Sequence, residues 1–351
     1  MRKLASIQVV NAAEPIQNAD AIERIRVLGW WVVVKKGEFK PGDKLVYMEI
    51  DSLLPERAEF EFLRASSYKP AVLGPEGAMQ AAGFRIKTIR LRGQVSQGIC
   101  FPLSILPEGM DIAEDTDVTE ILGVRKWEPP VPAGMSGRVK GGFPGFLPKT
   151  DETRVQVLEK TIEKYRGTTF YLTEKLDGTS FTAFLREGVF GVCSRNLSLD
   201  PTDETSLFMR VAKRYNLEAK LRAFAAVRGF EPAVQGEVIG PGVQQNKYGL
   251  TELSLRLFNV FDVSGYRYLN YADMLTAVAE MGLEAVPQLG TLVLTHTVDE
   301  LVALSEGMSV LNPKAYREGV VLRPITEVQD DYLGRLSFKV INPRFLLKYD
   351  E

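Results

Sequence analysis

A break in the middle of the sequence constrains the fold more than any other feature. Residues 128–150, EPPVPAGMSGRVKGGFPGFLPKT, contain five prolines and five glycines, which leave little room for regular secondary structure. A chain of 351 residues is also too long for one ordinary hydrophobic core. The sequence therefore predicts two domains, residues 1–127 and residues 148–351, joined by a Pro/Gly-rich linker over residues 128–147.

The composition excludes several classes of protein. Lys and Arg number 43 and Asp and Glu number 45, so the net charge is −2, and any nucleic-acid binding must come from a local basic patch. Cys100 and Cys193 lack the spacing of a metal knuckle, and the single histidine, His296, argues against histidine-rich metal sites and a Ser-His-Asp mechanism. Because the sequence has neither a membrane-length apolar run nor a signal-peptide pattern, we expect a cytoplasmic protein.

The N-terminal part is predicted to consist of short strands. Residues 30–36 and 44–50 flank the turn PGD and indicate a pair of strands. Residues 83–93, GFRIKTIRLRG, alternate in hydrophobicity but the phase slips, and a β-bulge near Thr88 would restore it. Residues 64–82 are predicted to form a long loop inserted into this domain.

That bulge would bring four basic side chains to one side of the strand: Arg85, Lys87, Arg90 and Arg92. Short strands with a basic surface are typical of a small barrel of the OB type, which commonly binds nucleic acid. A solvated strand face explains the same pattern equally well.

The C-terminal part mixes helices and strands. Helical spacing and glycine stops predict helices over residues 151–165, 203–229, 271–282 and 297–307. Seven strand candidates lie before, between and after them: TFYLTEKL, TSFTAFL, FGVCS, AVQGEVI, LRLFNVFDV, GVVLR and RLSFKVI. Because the order is not a regular βαβ alternation, the fold class predicted is α+β.

One short segment carries unusual chemistry. Residues 173–180, TEKLDGTS, place Lys175 between Glu174 and Asp177 and follow them with a glycine. The segment is either a salt-bridged turn or a lysine nucleophile. An unperturbed lysine has a pKa of about 10.4 and is protonated at neutral pH, and bare carboxylates stabilise the ammonium further. A divalent cation bound by the carboxylates would reverse that effect.

Further segments supply possible partners for this lysine. Each also has an ordinary structural interpretation, because strand-end glutamates are usually solvated and single phenylalanines usually lie in the core. The segments, in chain order, are SRN with Arg195, QGEVIGPGVQQNKYG with Glu237, LFNVFDV with Phe261, REGVVLR with Glu318, and SFKVINPRFLLKY with Lys339, Arg344 and Lys348.

The order of these segments resembles a known family. KLDG, SRN, GEVIGPG, FNVFD, EGVVLR and SFKVI follow one another as the six nucleotidyltransferase motifs of the covalent ATP-dependent ligases do, and the RNA ligases are the most similar. The residues before them, from KLASIQ through GEFKPGDKLVYMEIDS, resemble the N-terminal OB domain of the fifth RNA ligase family, in which no domain follows the ligase core. The chain ends three residues after Lys348, as that arrangement implies.

The resemblance implies a fold and a reaction. The fold would be an OB-type barrel followed by an ATP-grasp-like core of antiparallel sheets with helices. Lys175 would attack ATP to form lysyl-AMP, pass AMP to an RNA 5′-phosphate, and let a 3′-OH displace it, as a monomer in RNA repair. Mg²⁺ or Mn²⁺ would be the metal.

The roles implied for the site residues follow the motif positions. Glu174 belongs to the nucleotide site, Arg195 and Glu237 contact the ribose, Phe261 stacks on adenine, and Lys339 holds the α-phosphate. The metal ligands implied are Asp177, Glu237 and Glu318.

One position departs from the pattern, since many relatives have a second lysine where this chain has Ile341. Arg344 or Lys348 could compensate for that lysine. DNA ligases and capping guanylyltransferases share the K-x-D-G core but place an OB domain after it. A non-catalytic RNA-binding protein remains an alternative of another class.

Overall fold

The computed structural model describes residues 3–73, 79–128 and 138–349. Residues 129–137, which belong to the predicted linker, lie outside the described residues. Residues 74–78, which belong to the predicted inserted loop, also lie outside them. The chain divides into two compact units. The N-terminal unit comprises residues 1–131, 156–159 and 346–351, and the C-terminal unit comprises residues 132–155 and 160–345.

The N-terminal unit is built from short strands. Its strands are β1 (Ala5–Pro15), β2 (Ile22–Val27), β3 (Trp30–Lys35), β4 (Lys44–Met48), β5 (Ser52–Leu54), β6 (Tyr68–Lys69), β7 (Val72–Leu73), β8 (Met79–Gln80), β9 (Gly83–Arg85), β10 (Ile89–Leu91), β11 (Gln94–Ser96), β12 (Ile99–Phe101) and β13 (Arg125–Lys126). Helix α1 (Arg64–Ser67) and the 3₁₀ segments Ala58–Leu63 and Leu103–Ile105 connect them.

These strands form one principal sheet and several smaller ones. The five-stranded sheet has the order β12-β4-β1-β2-β3, and β1 carries a bulge between Val10 and Ala12. The four-stranded sheet has the order β13-β5-β9-β6. Buried aromatic side chains such as Trp30, Tyr47 and Phe60 fill the interior. The long, bulged β1 pairs on both edges, which is how a small sheet curls toward a barrel.

Two strand predictions in this unit are wrong in detail. β3 and β4 are not partners, because β3 pairs with β2 and β4 pairs with β1. Residues 83–93 do not form one bulged strand. β9 pairs with β5 and β6, whereas β10 folds back on β11 through a turn in which Arg92 and Gly93 both have positive φ. Such a turn matches the twist of the two flanking strands, so this segment folds as a tight hairpin rather than as one continuous strand.

The C-terminal unit contains two larger sheets and most of the helices. Its strands are β14 (Val139–Gly142), β15 (Thr153–Arg154), β16 (Thr169–Lys175), β17 (Thr179–Arg186), β18 (Val189–Cys193), β19 (Leu197–Leu199), β20 (Pro232–Ile239), β21 (Ser254–Asp262), β22 (Arg267–Tyr268), β23 (Gln288–Val293), β24 (Gly319–Pro324), β25 (Gln329–Asp330), β26 (Gly334–Arg335) and β27 (Phe338–Ile341). Its helices are α2 (Glu159–Lys164), α3 (Leu207–Arg214), α4 (Leu217–Arg228), α5 (Tyr271–Glu280), α6 (Val298–Ser305) and α7 (Pro343–Tyr349), of which α2 begins and α7 ends in residues of the N-terminal unit.

The two sheets bring distant segments of sequence together. The seven-stranded sheet has the order β14-β19-β18-β17-β20-β21-β22, and the five-stranded sheet has the order β15-β27-β24-β16-β23. The first is covered by α3, α4 and α5, whose apolar faces join its core. β16 is the strand before the predicted nucleophile, and it lies between β24 and β23. Mostly antiparallel sheets with helices at their faces confirm the α+β prediction.

Two helix predictions are corrected by the structure. The helix predicted over residues 203–229 is interrupted at Asn216, which has φ of 49°, so α3 and α4 are separate helices. The second of them ends at Gly229, as predicted. The helix predicted over 151–165 is reduced to α2, because Thr153 and Arg154 pair with β27 as a strand. Within the described ranges, no helix is long and apolar enough to cross a membrane.

Candidate active site

Lys175 lies at the end of β16, where the start of β24 meets it. The antiparallel register places Lys175 opposite Gly319, and Glu318 directly precedes that glycine. The Lys175 ammonium donates hydrogen bonds to Glu318 Oε1 and Oε2, each at 2.6 Å. Two residues separated by 143 positions in sequence therefore form the centre of the candidate site.

Three carboxylates act on this ammonium. Burial lowers the pKa of Lys175, but Glu318, Glu237 and Asp177 together raise it above the ordinary value. Burial also raises the pKa of Glu237 to about 8, with a further increase from Glu318 and Asp177 that Lys175 opposes. In the absence of a cation, the site thus keeps Lys175 protonated and holds a proton on Glu237 near neutral pH.

The glycine of KLDG has a packing role. A Cβ on Gly178 would lie 2.4 Å from the Val238 carbonyl oxygen and 2.7 Å from Glu237 Cγ. β17 therefore starts so close to β20 that only glycine fits there. This close approach brings Glu237 beside the Lys175–Asp177 segment, which explains why a glycine follows the lysine and the aspartate.

Asp177 is held by two residues that the sequence interpretation did not single out. Its carboxylate forms an ion pair with Lys247, and the Lys247 side chain is 4% exposed. Its backbone N–H donates to the Tyr248 hydroxyl at 2.6 Å. Both residues belong to QGEVIGPGVQQNKYG, the segment chosen in the sequence for Glu237 alone.

Glu174 is buried, and its carboxylate anchors a loop. Glu174 Oε2 accepts a hydrogen bond from the Val310 backbone N–H at 2.8 Å. Burial raises the pKa of Glu174, although hydrogen bonds from Ser309 and Val310 oppose this effect. This contact ties β16 to the loop before Glu318.

Arg195 lies beside the segment that leads into the core. It forms an ion pair with Asp151, with 2.5 Å between Arg195 Nη2 and Asp151 Oδ1. Both side chains are about half exposed. The pair connects the SRN segment to residues 148–156, but it does not test the ribose contact predicted for Arg195.

The structure does not bring Phe261 to the site. Its ring is 2% exposed and packs edge-on against Tyr266 and Tyr268, within a separate hydrophobic cluster. Phe258 is the aromatic residue of the same strand that lies near the nucleophile, because it packs against the cluster containing Leu176. Phe258 and Phe261 belong to different clusters, and the pairing of β20 with β21 is irregular near Phe258.

Lys339 lies on the same side of the sheet as Lys175. It is in register with Val321 and, on the other edge of β27, with Arg154. Ile341 stands opposite Gly319, so it lies in line with Lys175 two strands away. Among the two residues proposed to compensate for this isoleucine, Arg344 forms an ion pair with Glu306 at 3.0 Å. Lys348 lies in the last turn of α7.

Glu152, which lies just before β15, forms a buried ion pair that the sequence did not predict. Arg323 Nη2 donates to Glu152 Oε1 at 2.9 Å, and the Arg323 side chain is 3% exposed. Despite its burial, Glu152 has a lowered pKa because of Arg323 and Arg335. Arg335 Nη1 in turn donates to Asn259 Oδ1 at 2.9 Å, so this network links residues of the five-stranded sheet with β21 of the seven-stranded sheet.

The four basic residues predicted to share one strand face are separated in the structure. The Arg85 side chain is 12% exposed and lies 3.7 Å from Asp51. Arg90 and Arg92 are exposed on the β10–β11 hairpin, and Lys87 lies between the two strands. The single basic face expected from a bulged strand is therefore not formed.

Two other arginines of the N-terminal unit lie over an aromatic ring. The guanidinium groups of Arg24 and Arg26 lie 4.2 Å and 5.3 Å from the centre of the Trp31 ring. Arg24 also donates to Gln94 Oε1 at 2.8 Å, which connects β2 with the hairpin that carries Arg90 and Arg92. We call this surface, comprising Arg24, Arg26, Trp31, Arg90 and Arg92, the barrel surface.

The donor chemistry near Lys175 suits a hard divalent cation. Glu318, Glu237 and Asp177 supply carboxylate oxygens, the ligands preferred by Mg²⁺ and Mn²⁺. Across the part of the chain that the structure describes, no three acidic, histidine or cysteine side chains already form a closed metal cluster. Mg²⁺ generally keeps several of its waters and takes only one or two carboxylate ligands from a protein.

Comparisons with known proteins identify both parts of the chain. An OB-fold domain model matches residues 4–103, and an RNA ligase model matches residues 168–341. A structure of the Naegleria gruberi RNA ligase with PPi is 37% identical, with a TM-score of 0.88, and the match covers 100% of this chain and 99% of that chain. A comparison with curated proteins gave no match.

Two further structures of the Naegleria gruberi enzyme agree with this match. A glutamate-to-alanine mutant with ATP and Mn is 37% identical with a TM-score of 0.89 and full coverage of both chains. A lysine-to-alanine mutant with ATP and Mn is 37% identical with a TM-score of 0.87 and 98% coverage of each chain. On the identity and coverage of these matches, together with an OB-fold domain followed by a ligase core, the chain belongs to the RNA ligase family.

Proposed function

We propose that this chain is an ATP-dependent RNA ligase that joins a 3′-OH to a 5′-phosphate through a lysyl-AMP formed on Lys175. The observation that carries the proposal is the position of Lys175, with its ammonium 2.6 Å from both Glu318 oxygens and under the influence of two further carboxylates. The related Naegleria gruberi structures contain ATP and Mn, which supports ATP and a divalent metal as the cofactors here.

The first step is nucleophilic attack by Lys175. Its Nζ must lose a proton before the lone pair can form a bond to the α-phosphorus of ATP, while the bond to the leaving pyrophosphate breaks. The Glu318 oxygens are the acceptors that contact this proton. A bound Mg²⁺ or Mn²⁺ supplies positive charge that offsets the carboxylates and favours the neutral amine. Asp177, Glu237 and Glu318 are the residues that would hold it.

The remaining steps move AMP to RNA and then release it. An oxygen of the RNA 5′-phosphate displaces the Lys175 amine from the AMP phosphorus and gives an adenylated RNA end. A 3′-OH then attacks that 5′-phosphorus, forms the phosphodiester and expels AMP. Each displacement forms one bond to phosphorus and breaks one, so no oxidant or further co-reactant is needed.

The nucleotide contacts are assigned by position. We place Lys339 on the α-phosphate, because it projects from the same side of the sheet as Lys175, and Arg195 with Glu237 on the ribose. Phe258 replaces Phe261 as the platform for the adenine ring, because Phe258 packs beside Leu176 whereas Phe261 is buried elsewhere. Stacking on a flat aromatic face suits adenine without further specificity.

The RNA is assigned to the N-terminal domain, residues 1–127, which precedes the linker 128–147 and the ligase domain 148–351. Its barrel surface combines arginines with an aromatic ring, the combination that binds phosphates and stacks on bases. Arg90 and Arg92 keep the RNA-binding role expected from the sequence, whereas Arg85 lies in β9 and pairs with Asp51. The enzyme would act as a monomer in the cytoplasm on nicked duplexes during RNA repair.

Covalent labelling tests this function directly. The full chain is incubated with ATP labelled on the α-phosphate and with Mg²⁺ or Mn²⁺, then denatured and separated on a gel. Label from the α-phosphate but not the γ-phosphate is expected to remain on the protein, and GTP should not label it. The adenylated enzyme should then seal 3′-OH/5′-phosphate nicks with ribose at the 3′-OH side. Absence of label would overturn the proposal, and efficient sealing of an all-DNA nick would overturn the RNA assignment.

A further inference from the structure

The segment Gln244–Lys247 has an unusual backbone. Gln244, Gln245 and Asn246 have φ of 41°, 58° and 49°, so three consecutive non-glycine residues adopt the left-handed conformation. L-residues disfavour this region, and runs of three are costly. Strain of this kind persists only where the surroundings determine the conformation, and it occurs preferentially at functional sites.

Local hydrogen bonds fix the end of this turn. The Asn246 side chain accepts from the Leu250 backbone N–H at 3.0 Å and donates to the Leu250 carbonyl at 2.8 Å. Asn312 donates its side-chain N–H to the Lys247 carbonyl at 2.9 Å. The backbone on both sides of Lys247 is thereby determined, and the turn directs two successive side chains, Lys247 and Tyr248, onto Asp177.

Lys247 is not an ordinary surface lysine. Its side chain is 4% exposed and that of Asp177 is 7% exposed, so this ion pair is shielded from water. The ammonium also lies over the Phe345 ring, with Nζ 5.1 Å from the ring centre. A buried ammonium needs an anionic partner, and removing one member of a buried ion pair is usually strongly destabilising. The pair therefore fixes the orientation of the Asp177 carboxylate.

We infer that Lys247 is a positioning residue for the adenylylation of Lys175. Lys247 directly follows the left-handed turn and holds the Asp177 carboxylate in place. The Asp177 oxygen that Lys247 contacts is Oδ2. Without the ammonium, the Asp177 carboxylate loses the ion pair that fixes its orientation beside the Lys175 segment. This inference rests on the proposed ligase function and adds a residue to its machinery.

The chemical state of the site supports this role. Glu318 is paired with Lys175, and Asp177 with Lys247, so each lysine neutralises one carboxylate. Lys247 thus holds the Asp177 carboxylate in one orientation next to the Lys175–Glu318 pair. An outer partner of a functional carboxylate typically accounts for about 10- to 100-fold in activity or affinity.

The first test replaces Lys247 by methionine, which keeps the apolar stem and removes the charge. We expect Lys247→Met to lower the maximal rate of self-adenylylation about 10- to 100-fold, with less than about a threefold change in the KM for ATP, because ATP binding does not require Asp177 to be oriented. Lys213→Met is the matched control. Lys213 also pairs with a glutamate, but its side chain is 79% exposed, and its loss should leave the rate unchanged.

The second test asks whether the ammonium itself is required. It also distinguishes loss of the charge from loss of side-chain packing. Lys247→Ala leaves a space that a small amine can enter, so propylammonium should restore part of the rate, while 1-propanol at the same concentration should not. Thermal unfolding of each variant without metal monitors the fold. A wild-type rate for Lys247→Met, or equal restoration by the alcohol and the amine, would overturn the inference. If the wild-type protein itself takes no label, the proposed function fails instead.

Discussion

In the C-terminal unit, Lys175 and Lys247 lie against carboxylates with little access to water, whereas in the N-terminal unit Arg90 and Arg92 lie exposed on a hairpin. Charges of the first kind interact strongly because the surrounding medium screens them poorly, and each depends on its partner. Charges of the second kind interact weakly and through solvent. Substitutions in the two regions should therefore differ in size, in salt dependence and in the reaction step affected.

The largest effect is expected at the nucleophile. Lys175→Ala should abolish covalent labelling by ATP, because no other group can form the phosphoramidate at that position. The variant should still seal a nick whose 5′ end is already adenylated, since that step does not use the lysine as a nucleophile. Labelling with α-phosphate-labelled ATP and sealing of a pre-adenylated nick are the two measurements. Persistent labelling of the variant would show that another residue is the nucleophile.

The next effect concerns Asp177 and separates chemistry from folding. Asp177→Ala should lose most labelling, and it should also destabilise the fold by roughly 3–5 kcal/mol because the buried Lys247 ammonium loses its ion pair with the Asp177 carboxylate. Adding Lys247→Met should recover most of that stability without recovering labelling. Thermal unfolding and self-labelling of the two single variants and the double variant form the cycle.

A different result would change the interpretation of Asp177. Recovery of both stability and labelling in the double variant would mean that Asp177 serves only to neutralise Lys247. Glu318→Ala is the companion variant, because Glu318 pairs with the nucleophile itself. It should lose labelling over a full Mg²⁺ titration, and a wild-type rate at any metal concentration would remove it from the metal site.

The sequence predicted the parts of the site that depend on linear motifs. Lys175, Asp177 and Glu318 were chosen by segment order, and the antiparallel pairing of β16 with β24 brings them together. Lys247 was within a quoted segment but could not be chosen, because its burial depends on a left-handed turn formed by ordinary residues. A sequence with glycine at those positions would have signalled the turn, whereas glutamine and asparagine conceal it.

The N-terminal unit was less predictable for a related reason. Alternation over residues 83–93 suggested one strand, yet hydrophobicity does not specify which strands pair. Ile89 and Leu91 are each 39% exposed, so the apolar positions that set the expected phase are not core residues at all. Gly93 was the available sequence signal for a hairpin. The signal was weak because the residue before it is Arg92, which adopts positive φ in the structure, whereas Asn or Asp is usual at that position.

The two phenylalanines of FNVF provide a sharper comparison within one strand. Phe258→Ala should raise the KM for ATP about tenfold, because base stacking on an aromatic ring contributes roughly 1–3 kcal/mol. Phe261→Ala should leave that KM near wild type and instead destabilise the fold by roughly 3–5 kcal/mol, as expected for a fully buried ring. ATP titrations of labelling and thermal unfolding distinguish them. The reverse pattern would restore the adenine assignment to Phe261.

A smaller, salt-dependent effect is expected at the barrel surface. Arg90→Ala/Arg92→Ala should slow nick sealing severalfold and reduce the slope of log affinity for nicked RNA against log salt by about one per lost phosphate contact. Self-labelling should remain unchanged, since it involves no RNA. Binding at several salt concentrations and both activity assays provide the measurements. An equal loss of labelling and sealing would contradict an RNA role for this surface.

The last effect is a pH dependence that belongs to the buried site alone. The pKa of Glu237 is about 8 in the folded protein, compared with 4.5 for an unperturbed glutamate. The folded state therefore binds more protons than the unfolded state between these values, so folding stability falls as pH rises through that window. Glu237→Gln removes the titrating group. The unfolding temperature of the metal-free wild type, relative to this variant, should decline from about pH 4.5 to about pH 8 and level off beyond it. If the unfolding temperature of the wild type instead rose with pH relative to Glu237→Gln, the anionic form of Glu237 would be the one stabilised by folding. That result would contradict a protonated Glu237 carboxyl next to Lys175.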